Sequence, residues 1–274
     1  MFEKKIDLSV CTHCGLCAEV CPLAIIHMRG EPPYPAVPAK RDAFCVACGH
    51  CEAVCPVHAI EILSPQLQSS DIPAPGQKLG PDVIFPYFAS RRSIRIYKSE
   101  PVARPILERL MNIVRYAPSA VNRQPVKWII VQTREGVDRI AAAVIDWAHA
   151  MIREGAPVAQ RLNLAFLVAV WKSGKDPICR KAPHLIVPYC HKDDTAGAND
   201  ATIALSHLEL AAPSLGLGAC WAGYVNIALA QLPDLRASLG ISEDCMSRGA
   251  MMLGYPAVSY SGIPKRNKSE IAWL

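Results

Sequence analysis

Cys11-Thr12-His13-Cys14-Gly15-Leu16-Cys17-Ala18-Glu19-Val20-Cys21-Pro22 and Cys45-Val46-Ala47-Cys48-Gly49-His50-Cys51-Glu52-Ala53-Val54-Cys55-Pro56 are two copies of one pattern, C-x2-C-x2-C-x3-C-P, offset by 34 residues throughout. They hold eight of the chain's 12 cysteines. Three thiolates so closely spaced wrap one corner-rich cluster, and the fourth ligand comes from the other copy. The pattern therefore predicts one 4Fe-4S cluster on Cys11, Cys14, Cys17 and Cys55, and a second on Cys45, Cys48, Cys51 and Cys21. Gly15 and Gly49 stand between ligands, where the backbone must approach sulfide closely. Structural zinc takes two C-x2-C pairs across a spacer, which leaves the third cysteine of each run and the trailing Cys-Pro unexplained. His13 and His50 are expected to serve packing or solvent contact, because eight thiolates already complete both ligand sets. Two clusters in one small module make a one-electron wire.

This amino-terminal stretch, residues 1–64, resembles the bacterial two-cluster ferredoxins. The whole chain has 274 residues, 51% hydrophobic and 19% charged, which suits a compact protein of about two domains rather than a disordered one. Lys+Arg 29 against Asp+Glu 24 leaves a net charge of +5, too weak for the concentrated basic face of a nucleic-acid binder. No apolar run reaches the eighteen or so residues that cross a bilayer, so no membrane partner is expected. The start Met1-Phe2-Glu3-Lys4-Lys5 lacks a signal-peptide pattern, and a cytoplasmic location is expected.

Prolines mark a boundary: 11 of the 23 lie in residues 1–90. Ser64 to Pro86 has neither helical nor strand periodicity and reads as an extended linker. The domains are thus expected at 1–64, with a Pro-rich linker over 65–87 and a second domain over 88–274. Beyond the linker the pattern is α/β. Val102 to Ala117 steps its apolar residues by three and four and stops at Pro118. Val126 to Val131 and Leu185 to Tyr189 read as strands. Val137 to Trp147, Ala156 to Phe166 and Asp200 to Leu215 read as helices, the last with Asp200 as N-cap and Gly216 as stop. Gly216 to Gly223 reads as a Gly-rich turn. Cys179, Cys190, Cys220 and Cys245 have no metal spacing and are expected to be buried thiols.

Arg91-Arg92-Ser93-Ile94-Arg95 places three guanidinium groups and a hydroxyl within five residues, a set that can grip a phosphomonoester. The loop Ala117 to Pro125, the Gly-rich stretch through Trp221 and the basic run Pro264-Lys265-Arg266-Asn267-Lys268 follow in order. On these residues the sequence resembles the flavin-dependent nitroreductase family over about 88–274. That resemblance implies FMN bound at a homodimer interface. It implies that Arg91, Arg92, Ser93 and Arg95 hold the FMN phosphate and reach its pyrimidine side. Pro118, Ser119, Ala120, Asn122 and Gln124 would contact FMN from the other subunit. Trp221, Ala222 and Gly223 would flank the isoalloxazine ring, and Lys265 and Arg266 would add phosphate contacts. Lys172 to Lys181 stands where family members contact the flavin edge; its Lys175 and Arg180 read as surface charge.

The expected fold class is α+β: a ferredoxin-like domain followed by a nitroreductase-like α/β sandwich, a mixed sheet framed by helices. The expected activity is FMN-dependent reduction of an electron-poor organic compound such as a nitro-aromatic or a quinone, with electrons delivered to FMN through the two clusters. Reduced ferredoxin or NAD(P)H is the expected donor. The alternative is a relay that passes electrons to a partner protein without small-molecule turnover. No side chain is assigned as catalytic acid or base.

Overall fold

The computed structural model of the chain describes residues 3–63, 73 and 75–274. These fall into two compact units, Met1–Lys78 with Ala120–Arg123, and Leu79–Ser119 with Gln124–Leu274.

The first unit runs β1 (Glu3–Ile6), α1 (Leu16–Glu19), β2 (His27–Arg29), β3 (Tyr34–Ala36), α2 (Ala39–Asp42), α3 (His50–Val54) and β4 (Ile60–Leu63). β1 pairs antiparallel with β4, and β2 forms a hairpin with β3. Each cysteine run bends into a single helical turn, α1 or α3, entered through a left-handed glycine: Gly15 at φ 77 and Gly49 at φ 73. A side chain at that φ is strained, which is why glycine stands between the second and third cysteine of each copy. The third cysteine, Cys17 or Cys51, lies inside the turn and is buried with Ile25, Ile26, Ile60 and Ile62.

The second unit runs α4 (Pro81–Ser90), α5 (Arg104–Val114), β5 (Lys127–Val131), α6 (Arg134–Arg153), α7 (Pro157–Arg161), α8 (Leu164–Lys172), β6 (His184–His191), α9 (Gly197–Ala211), β7 (Gly218–Trp221), α10 (Gly223–Gln231), α11 (Pro233–Ser238), β8 (Cys245–Ser247) and β9 (Met251–Gly254). The sheet order is β5-β6-β9-β7, with β8 also paired to β6. Alternation along the strands sends side chains to both faces. Leu185, Val187, Cys220 and Met252 pack with α6, α8 and α10, while Ile186, Ala219, Met251 and Leu253 pack with α5 and α9. The sandwich is therefore helix, sheet, helix, as expected.

Several expectations need correction. Every ladder of this sheet is antiparallel, not mixed. Between β5 and β6 the chain goes out along α6 and doubles back along α8, so it re-enters the sheet from the end where it left. The presumed linker ends in helix α4, which opens with proline at its first position, where the missing N–H costs nothing. Pro86, within it, masked the helical pattern; Ser64–Ile72 and Ala74 of the linker lie outside the described residues. The helix read over Ala156 to Phe166 is two, α7 and α8, broken at Asn163 with φ 49 and ψ 50. Asp200 sits buried in the first turn of α9 and not at its N-cap. Pro213 has no N–H to donate and converts the end of that helix into a 3-10 turn, Ala212–Leu215, which Gly216 terminates at φ 71. The Gly-rich turn is largely strand β7. Cys179, Cys190, Cys220 and Cys245 are all buried.

Candidate functional site

In the first unit the eight cysteines sort into two cavities. One is lined by Cys11, Cys14, Cys17 and Cys55 together with Ile6, Met28 and Ile60. The other is lined by Cys21, Cys45, Cys48 and Cys51 together with Lys4, Leu23, Ile26 and Ile62. The fourth thiol lining each cavity thus comes from the other copy of the pattern. Four soft thiol donors around each mostly apolar cavity fit a cuboidal iron-sulfur cluster. Backbone amides already point at two of the sulfurs: His13 N–H donates to Cys11 Sγ at 3.4 Å and Ala59 N–H to Cys55 Sγ at 3.2 Å. His13 Nδ1 and His50 Nδ1 are engaged with the carbonyls of Pro33 and Cys48.

Burial raises the Cys17 thiol above its ordinary range and pushes Cys51 up to about 11. Ligation requires the thiolate, so metal must displace those protons. Iron removal by a chelator is accordingly expected to be faster at pH 6 than at pH 8, measured as loss of cluster absorbance; equal rates would contradict it.

In the second unit, the segment after α4 is stitched to the sheet. Ile94 N–H donates to Ala219 O of β7 at 2.9 Å, Lys98 N–H to Tyr255 O at 2.9 Å, and Ala257 N–H to Ile96 O at 3.0 Å. The close approach depends on Gly218: a Cβ there would lie 2.4 Å from Ile94 Cγ1 and 2.9 Å from Pro256 Cγ. Gly218→Val is expected to destabilise the chain by about 1–3 kcal/mol through overpacking and to displace the arginine segment. A thermal melt checks the first effect and flavin content the second.

This segment borders a cleft of about 580 Å³, lined by Arg91, Arg92, Glu209, Ala219, Pro256 and Tyr260 among others. That volume suits a small-molecule site. Arg91 Nη1 pairs with Glu209 of α9 at 2.8 Å, and the Glu209 side chain is only 10% exposed. Arg92 Nη1 donates to the carbonyls of Ala89 and Arg91, capping the carboxyl end of α4. Arg95 is exposed. It acts with Ser93 on the Cys220 thiol, which burial raises and which Arg95, a Ser93 hydrogen bond and Arg180 pull partly back.

Arg180 reads in the sequence as surface charge. It is exposed and has a left-handed φ of 55. Asp176 holds its loop: the carboxylate accepts from the N–H groups of Ile178, Cys179 and Lys181 at 2.8–2.9 Å. An Asp-Pro turn ahead of a strand was the available signal. Asp176→Ala is expected to loosen residues 176–181 and speed amide exchange there, with cluster content unchanged; unaltered exchange would contradict the clamp.

The remaining predicted residues are more dispersed. Ser119 Oγ accepts from Gln124 N–H at 2.9 Å, closing a turn in which Val121, Asn122 and Gln124 all have positive φ. Ala120 to Arg123 group with the first unit, where Asn122 Nδ2 donates to the carbonyls of Val46 and Ala47. Pro118 is exposed and Ala120 half-buried. Trp221 ends β7 at 38% exposure, Ala222 is buried behind it, and Gly223 opens α10. Lys265 and Arg266 lie exposed in the carboxyl-terminal tail and do not line the cleft. Among the described residues, no helix is long and apolar enough to cross a membrane.

Comparison with known proteins matches residues 88–255 to the model of the nitroreductase family and residues 10–59 to that of a 4Fe-4S dicluster domain. A Methanothermobacter thermautotrophicus protein, provisionally named NADH dehydrogenase/NAD(P)H nitroreductase, is 30% identical over 168 residues, 61% of this chain and 74% of that one. An FMN reductase [NAD(P)H] of Bacillus subtilis is 31% identical over 171 residues, 61% of this chain and 63% of that one. A nitroreductase from Desulfitobacterium hafniense, solved with bound FMN, shares the fold: TM-score 0.57 at 23% identity, over 69% of this chain and 97% of that one. With 168 residues matched by one family model and the paired thiol cavities by another, the chain belongs to the nitroreductase family and carries a 4Fe-4S dicluster domain ahead of its nitroreductase domain.

Proposed function

We propose that this chain is an FMN-dependent oxidoreductase that reduces an electron-poor small molecule, a nitro-aromatic or a quinone, with electrons delivered through two 4Fe-4S clusters. The observation that carries the reading is the presence, on one chain, of two four-thiol cavities and of an arginine segment stitched along a cleft of about 580 Å³. Bound clusters pass single electrons, whereas a flavin accepts them singly and releases a pair as hydride, so the flavin is where one-electron supply becomes two-electron reduction. Arg92 and Ser93 bind and orient the cofactor phosphate. Arg95 stabilises negative charge on the pyrimidine side. Arg91, tied to Glu209, orients the cleft wall. The loop from Pro118 to Gln124 and the residues Trp221 to Gly223 complete the site from two copies of the chain, which makes the functional form a homodimer. Lys265 and Arg266 add phosphate contacts once the tail is docked.

The test is anaerobic turnover of nitro and quinone compounds with reduced ferredoxin, NADH and NADPH compared in parallel. The reading expects FMN in the purified chain and turnover with reduced ferredoxin. Intact clusters and FMN without turnover on any acceptor would contradict it and favour a relay.

A further inference from the structure

The two thiol cavities are built on one repeat, yet their roofs differ in charge. β1 and β4 are paired so that Ile6 faces Ile60 and Lys4 faces Ile62. The pair Ile6–Ile60 lines the cavity of Cys11, Cys14, Cys17 and Cys55. The pair Lys4–Ile62 lines the cavity of Cys21, Cys45, Cys48 and Cys51. Where one cavity has an isoleucine, the other has a lysine. Its side chain is only 5% exposed, and its Nζ is paired with Asp42, whose own side chain is 30% exposed and does not line the cavity.

We propose that Lys4 raises the reduction potential of the cluster held by Cys21, Cys45, Cys48 and Cys51, and so makes the paired clusters electrically unequal. Each cluster takes up one electron and no proton, and its net charge falls by one. A fixed cation in the cavity wall favours that reduced state, and in a poorly solvated site it is little screened. Net charge and hydrogen bonds to sulfur are the protein's levers on such potentials. The amide bonds to Cys11 and Cys55 work on the first cluster, and Lys4 works on the second. Asp42 moderates the effect from the outer end of the pair. A purely structural Lys4–Asp42 bridge, fastening β1 to α2, would leave the potentials where they are.

The inference rests on the two-cluster reading, and the experiment separates the two failures. The full chain is titrated with dithionite and followed by EPR, and the two steps are assigned through the contact-shifted β-protons of the ligand cysteines. Lys4→Met is expected to make reduction of the second cluster about tenfold less favourable, about 59 mV for a one-electron step. Asp42→Asn is expected to shift the same step in the opposite direction, and Lys4→Arg to restore it. The step assigned to Cys11, Cys14, Cys17 and Cys55 should move far less in every case. Should Lys4→Met fail to hold iron, Asp42→Asn still decides. Full iron content with an unmoved second step, or with both steps moved equally, would overturn the role of Lys4. Wild-type chain that binds no iron-sulfur cluster would overturn the reading beneath it.

Discussion

The double variant Cys11→Ala/Cys55→Ala is expected to keep about four iron atoms per chain, while Cys45→Ala/Cys55→Ala is expected to keep almost none, against about eight in the wild type. The two pairs share Cys55 and differ only in which copy supplies the other cysteine. Cys55 belongs to the second copy in sequence but lines the cavity of Cys11, Cys14 and Cys17. Removing it together with Cys11 therefore strikes one cluster twice, whereas removing it together with Cys45 strikes both. If each copy held its own cluster, the outcomes would be reversed. Iron and acid-labile sulfide analysis reads the difference directly, and the EPR spectrum of the reduced chain shows whether the surviving cluster is intact.

The second large effect concerns the arginines. Arg92→Ala is expected to weaken FMN binding by about 10–100-fold, the loss of one charge-assisted grip on phosphate, with the clusters intact. Arg91→Ala should behave differently. Its guanidinium neutralises Glu209, and truncation leaves a carboxylate in a poorly solvated wall, a situation that typically costs about 3–5 kcal/mol when the pair is fully buried and less here because Arg91 is 31% exposed. Arg91→Ala is thus expected to lower the melting temperature as well as flavin content, whereas Arg92→Ala loses chiefly the helix cap on α4. Adding Glu209→Gln to Arg91→Ala should return much of the stability without returning the flavin. Flavin titration and thermal melts on the three variants check this; equal melts for Arg91→Ala and Arg92→Ala would contradict the assignment of Arg91 to Glu209.

The parts of the fold legible in the sequence are those governed by short-range rules. Thiol spacing marked the eight cysteines that line the two cavities, because a cluster demands thiolates at close intervals; Gly15 and Gly49 stood out in sequence for close approach to sulfide, whereas the fold shows them at positive φ, where a side chain is strained. The long helices α5 and α6 were legible because each has one apolar stripe. What escaped was decided by tertiary contact or by single residues acting against pattern. β7 hid behind Gly216 and Gly218, since a glycine needed for the approach of Ile94 looks, in sequence, like a glycine needed for a turn. The helix α4 hid behind Pro81 and Pro86. The break between α7 and α8 depends on one left-handed asparagine. Likewise, the arginine motif is legible as a set of donors, but the engagement of Arg91 by Glu209, 118 residues away, is a fact of packing alone.

The central claim is that electrons reach the flavin through the clusters of the same chain. The most direct measurement mixes oxidised chain with reduced ferredoxin anaerobically in a stopped-flow instrument and records cluster and flavin absorbance together. Beside it runs the Cys11→Ala/Cys45→Ala variant, which should hold FMN but no cluster. The account predicts that in the wild type the clusters bleach before the flavin, and that in the variant this donor barely reduces the flavin. Flavin bleaching in the variant at the wild-type rate would contradict it.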